Sequence, residues 1–123
     1  MTGDRYLLDS NIIIRLSKQD PDLIDFISKL PNSVISVITY MEVLGYHFSS
    51  PKELDLIKEL LNWFELIHID HTIADQTIQI RQANKIKLPD AIIAATAQIC
   101  KLTLITGDTT DFKNIKNLKV IIK

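Results

Sequence analysis

Apolar residues along this 123-residue chain recur in two rhythms. Tyr6-Leu7-Leu8, Val34 to Ile38, Leu66 to Ile69, Leu102 to Ile105 and Lys119 to Ile122 are short runs, each bounded by turn or capping residues. They are too short for helices, so the pattern predicts five strands. Between them the spacing turns helical. Asp20-Pro21 sets an N-cap before a proline at the first helical position; Leu23, Ile24, Ile27 and Leu30 then form a stripe that Pro31 closes. Ser50-Pro51-Lys52-Glu53 is a capping box ahead of Leu54, Ile57, Leu60, Leu61 and Phe64. Thr72 and Asp75 open a further helix with Ala74, Ile78 and Arg81 on one side, and the run Ala91 to Ala97 is apolar nearly all round, the mark of a buried helix. Strands alternating with helices imply an α/β fold with a parallel sheet covered on both faces. No repeat, linker or low-complexity stretch interrupts it, so residues 1–123 read as a single domain.

Composition changes this picture little. Hydrophobic residues make up 46% of the chain, too many for disorder, and a domain of this length buries about two thirds of its unfolded surface without disulfides. The lone Cys100 lies in an apolar helical stretch and reads as core in a reducing compartment. No apolar run reaches the roughly 18 residues of a membrane span. The start, Met1-Thr2-Gly3-Asp4-Arg5, lacks a signal-peptide core, so the expected address is cytoplasmic. A net charge of −1 excludes an overall basic footprint. A polyanion partner would have to be held by a local patch or through bound metal.

The acids are where chemistry enters. Asp9 ends the first strand in Leu7-Leu8-Asp9-Ser10-Asn11, and Asp108 follows the fourth in Thr106-Gly107-Asp108-Thr109-Thr110-Asp111-Phe112. Glu42, in Thr39-Tyr40-Met41-Glu42, falls past the second strand in the expected first turn of the next helix, and Asp90 stands at the mouth of the apolar helix. In open parallel sheets the ligand crevice lies beyond the carboxyl ends of the strands. Each acid has a local explanation as well: Thr39 with Glu42 as a capping box, Asp9 and Asp108 as caps or Asx turns, Asp90 as the complement of a helix dipole. Caps, however, need no mutual placement, whereas here four separate segments bring carboxylates to one pole. Two carboxylates about 4 Å apart repel by roughly 4 kcal/mol at an effective dielectric of about 20, so such a cluster takes up protons or cations. Oxygen ligands without cysteine or a histidine set point to Mg²⁺ or Mn²⁺ rather than zinc. Phosphodiester hydrolysis is the chemistry that uses such ions fully.

Taken in order, these motifs resemble the PIN domain, and specifically VapC-type ribonuclease toxins of type II toxin–antitoxin pairs. The resemblance covers essentially the whole chain. It is carried by Leu8-Asp9-Ser10-Asn11, by Thr39-Tyr40-Met41-Glu42-Val43, by Leu88-Pro89-Asp90 through Ala97, and by Leu104-Ile105-Thr106-Gly107-Asp108 with Asp111-Phe112. It implies a three-layer sandwich with strand order 3-2-1-4-5 and an endoribonuclease dependent on Mg²⁺ or Mn²⁺. By position Asp9, Glu42 and Asp90 match the three principal acids, and Asp108 or Asp111 the fourth. Thr106 matches a hydroxyl residue that helps orient the attacking water. The resemblance further implies an RNA substrate, a small antitoxin whose tail crosses the acidic groove, and a homodimer formed through helices.

Other residues carry weaker signals. Asn11 reads as an N-cap or as an amide reaching the acids. His68 alternates with apolar neighbours and reads as packing; with His47 and His71 it forms no metal-ligand pair. Asp70 reads as a helix cap or an outer acid. Arg15, Lys18, Arg81, Lys85 and Lys87 are candidates for steering phosphate. Lys113, Lys116, Lys119 and Lys123 either contact RNA or keep an edge strand soluble. Two rivals stand beside the nuclease. A receiver-like phosphoacceptor domain would want an acid pair after strand one, which Leu8 breaks, and an acceptor after strand three, where Asp70 partly fits. A non-catalytic PIN-like binding module would not need the acids.

Overall fold

The computed structural model describes residues 4–123; Met1, Thr2 and Gly3, which enter the reading of the start of the chain and of the domain's extent, lie outside them. Five strands, β1 (Tyr6–Leu8), β2 (Ser33–Ser36), β3 (Glu65–Ile67), β4 (Thr103–Thr106) and β5 (Val120–Ile122), form one sheet. All neighbours are parallel, in the order β3-β2-β1-β4-β5. The expected α/β sandwich and strand order are therefore those observed. Period-two alternation builds the three layers. Leu7, Val34 and Leu104, which are register partners, point to one face. Leu8, Ile35 and Ile105 point to the other.

On the first face lie α5 (His71–Ala83) and α6 (Leu88–Ile99). Seven successive residues of α6, Ala91 to Ala97, are buried. Small side chains on nearly every side let it settle between the sheet and α5 as a buried helix does. The second face is covered by α1 (Ser10–Ser17), α2 (Pro21–Ser28), α3 (Val37–Leu44) and α4 (Pro51–Leu61), through Ile12, Ile13, Leu16, Leu23, Ile27, Val43, Ile57 and Leu61. Asp20 caps α2 by accepting from the Leu23 N–H, and Ser50 caps α4 by accepting from that of Glu53, both as the sequence predicts. Asn32, Lys101 and Asn117 take positive φ in the turns ahead of β2, β4 and β5.

Four features differ from expectation. The second apolar run is too long for its strand: the fully buried Ser36 turns its hydroxyl to the Ile38 N–H and starts α3, so Val37 and Ile38 are helical. Thr39 is consequently no cap, and Glu42 lies in the second turn of α3 rather than the first. The edge strand β3 ends at Ile67, which leaves His68 exposed instead of packed. In α5 the buried stripe is Ile73, Thr77 and Ile80, while Ile78 of the predicted stripe is more than half exposed. Thr77 can be buried because its hydroxyl donates to the Ile73 carbonyl.

Candidate active site

Because the strands are parallel, Asp9, Ser36 and Thr106 leave the sheet at the same edge. Asp9 follows β1 directly. Its N–H donates to the Ile105 carbonyl at 3.0 Å, which fixes the turn against β4. Asp9 is 7% exposed, and its side chain has two tasks: Oδ1 caps α1 by accepting from the Ser10 N–H at 2.8 Å, and Oδ2 accepts from the Thr106 hydroxyl at 2.7 Å. Burial raises the carboxyl above the ordinary aspartate range. The bonds from Thr106 and Ser10 oppose that rise, and the charges of Glu42 and Asp108 add to it.

Ser10 links the next acid. Its hydroxyl donates to Glu42 Oε1 at 2.7 Å and lies 3.5 Å from Thr39 Oγ1. Glu42 thus reaches the neighbourhood of Asp9 from an exposed position on α3. At the other side Asp108 Oδ1 accepts from the N–H groups of Thr110 and Asp111, at 2.7 and 3.0 Å, and from the Thr110 hydroxyl at 3.1 Å. These donors hold its pKa down at about 2. The Asx-turn reading of Asp108 is therefore correct for that oxygen, and the turn it organises carries Asp111 to Asp90.

Asp90, in the first turn of α6, is half-buried beside Asp111. Its pKa is pushed up to about 7, first by burial, then by the hydrogen bond and charge of Asp111, then by the charges of Asp9 and Asp108. Five acids from four segments thus sense one another. Among the described residues none of the five is in an ion pair. Nor do any three His, Cys, Asp or Glu side chains among those residues already stand together as a closed metal shell. Yet the donor set fits a hard divalent cation: the oxygens are carboxylate, two of the acids are raised by burial and by neighbouring acids, and among the described residues no basic side chain pairs with them.

Several expected residues fall elsewhere or in other roles. Asn11 is not a cap; Asp9 is, and Asn11 lies within α1 with its amide on Gly107 and Thr106. Asp70 caps α5 through the Ile73 N–H at 2.8 Å, the helix-cap alternative of its two readings. Arg15 is engaged by Asp20 at 3.1 Å and by the Lys123 carbonyl at 2.8 Å. Arg81 donates to the Ile86 carbonyl. The Lys123 ammonium sits over the Phe26 ring. Cys100 ends α6 partly buried, and burial raises its thiol. Sequence reasoning missed Ser10 and the direct contact of Asp90 with Asp111. The signal for Ser10 was its place immediately after a capping acid; nothing local announces a contact between α6 and the loop after β4.

The comparisons agree with this geometry. Residues 6–118 match the PIN domain family. A chain of a toxin–antitoxin complex from Klebsiella pneumoniae is 37% identical, with TM-score 0.80, over 94% of this chain and 95% of that one. A chain of DNA-bound VapBC from Salmonella typhimurium is 25% identical, with TM-score 0.85, over 97% and 98%. One of VapBC-1 from nontypeable Haemophilus influenzae is 28% identical, with TM-score 0.76, over 95% and 96%. A comparison with the curated proteins finds no match. The sheet order, the acids at its carboxyl edge and the family match over nearly the whole length lead to one conclusion: this chain belongs to the PIN domain family, and the solved chains it resembles include those of toxin–antitoxin complexes.

Proposed function

We propose that this protein is a metal-dependent endoribonuclease and the toxin of a toxin–antitoxin pair. The observation that carries this reading is the gathering of five carboxylates from four segments at the sheet edge, none of them in an ion pair among the described residues, with Asp90 raised to a pKa of about 7 by burial and by its acidic neighbours. Asp9, Glu42, Asp90 and Asp108, with Asp111 beside them, would hold one or two Mg²⁺ or Mn²⁺ ions, which supply Lewis acidity toward the phosphate and a water acidic enough to be a nucleophile near neutral pH. The chain's own groups do the rest. The Thr106 hydroxyl holds Asp9 Oδ2 in a fixed direction, and Ser10 does the same for Glu42 Oε1. The turn of Asp108 keeps Asp111 against Asp90. To serve as a ligand, Asp90, raised by burial and its acidic neighbours, would have to be in its carboxylate form. Asp90→Asn is expected to abolish cleavage of RNA supplied with Mn²⁺, by a factor of about 100 or more, while circular dichroism shows an unchanged fold. Wild-type cleavage by that variant would refute the assignment.

The partner half of this reading draws on the likeness to toxin–antitoxin complexes and on a groove of about 590 Å³ on the α2–α4 side. Leu16, Ile24, Ile27, Leu60, Trp63 and Phe64 line it. Trp63 is 80% exposed there, and the buried Ser33 hydroxyl beside it has no hydrogen-bond partner. We assign this groove to an apolar segment of the antitoxin. Tyr40 and Met41 on α3 and Ile78 on α5 are exposed apolar residues suited to the expected homodimer contact.

A further inference from the structure

Asn11 is hydrogen-bonded to none of the acids, yet it stands between the groups that align them. It lies two residues beyond Asp9 on α1. Its Oδ1 accepts from the Gly107 N–H at 3.0 Å, which fixes the amide's orientation and turns Nδ2 toward Thr106 Oγ1 at 3.4 Å. A hydroxyl has one proton and two lone pairs. Around Thr106 Oγ1, the Asn11 amide and the Asp108 N–H, at 3.1 Å, both donate. Both lone pairs are then engaged, and the hydroxyl proton has only Asp9 Oδ2, at 2.7 Å, to point to. Thr106 is fully buried, so water does not compete.

We propose that Asn11 is a positioning residue: its amide latches the end of β4 onto α1 and, through the Thr106 hydroxyl, sets the direction in which Asp9 and Asp108 present their oxygens. The latch stands on hydrogen bonds alone; its effect on metal uptake rests on the nuclease reading above. The same helix face reinforces it. Four residues on, Arg15 ties α1 to the Lys123 carbonyl beyond β5, and the Arg15 and Asn11 side chains flank Gly107.

Two measurements on the full chain test this, using Asn11→Ala, the volume-keeping Asn11→Leu, Thr106→Val and the Asn11→Ala/Thr106→Val double variant. In metal-free protein the Asp108 amide is expected to exchange its hydrogen about tenfold faster in both Asn11 variants, with the β1 amides still protected. An unchanged Asp108 rate in either folded variant overturns the latch. Calorimetric titration with Mn²⁺ is expected to show affinity lowered about 10- to 100-fold by Asn11→Ala. The double variant should bind as weakly as Thr106→Val alone, because Asn11 acts through that hydroxyl. Additive losses would overturn the route through Thr106. If the wild type takes up no Mn²⁺, the metal-site reading falls, and hydrogen exchange still decides the latch.

Discussion

Asp90 is the acid whose protonation carries most information. Its pKa of about 7 lies above the ordinary 3.8 first because the carboxyl is half-buried, and then because ionisation adds charge beside Asp111, Asp9 and Asp108. In the metal-free protein this makes the fold less stable as pH rises from about 4 to about 7, where the unfolded chain has already lost that proton and the folded one has not. Asp108, held at about 2, acts oppositely: its contribution is present above about 4 and is lost as pH falls toward 2. Metal-free Asp90→Asn should therefore melt higher than the wild type at pH 8, with the gap closing toward pH 4. In the wild type, Mn²⁺ affinity should rise with pH up to about 7, and proton release on binding, read as a buffer-dependent heat, should vanish above it. A flat affinity from pH 5 to 8 would contradict a protonated Asp90 in the metal-free protein. The candidacy of the acids was legible in the sequence because each follows a strand or opens a helix. The pairing of Asp90 with Asp111 was not, since it joins α6 to a loop whose path is set by Asp108's own turn.

At the scale of elements, patterning located all five strands and most helices, and its misplacements have identifiable causes. Val37 and Ile38 continue an apolar run that Ser36 ends by capping; a serine inside such a run gives no sign, from sequence, of which backbone N–H it will serve. In α5 two rival stripes were available, and burial of Thr77 through its bond to the Ile73 carbonyl selected the one less apolar on paper. α6 was the most legible element. Its Ala94 and Ala95 are fully buried between sheet and α5, so Ala94→Leu is expected to overpack this layer and cost about 1 to 3 kcal/mol. Urea denaturation would show it as a lower midpoint at unchanged slope.

For the whole molecule, the sheet order was implied by family resemblance rather than by periodicity, which is blind to which strands become neighbours. The two faces of the sandwich divide the labour. One buries Ala91 to Ala97 of α6; the other leaves the apolar groove whose place no motif announced, since it is assembled from α1, α2, α4 and the residues before β2. Trp63 is the only tryptophan, so its fluorescence reads the groove directly. Addition of the antitoxin should shift its emission to the blue, and Leu60→Asp should weaken the complex about 30-fold while leaving metal-dependent RNA cleavage intact. Unaltered emission on complex formation would move the docking face elsewhere.

Asp9 is at once the N-cap of α1 and a member of the acidic group, whereas Asp90 caps no helix: α6 starts at Leu88, behind Lys87, with no side-chain cap. Substituting Asp9 therefore removes a structural staple together with a proposed metal ligand. Substituting Asp90 relieves repulsion and removes nothing the backbone depends on. On the nuclease reading, an inert yet well-folded protein, suited to holding an uncut transcript as bait for identifying its target, is to be made at Asp90.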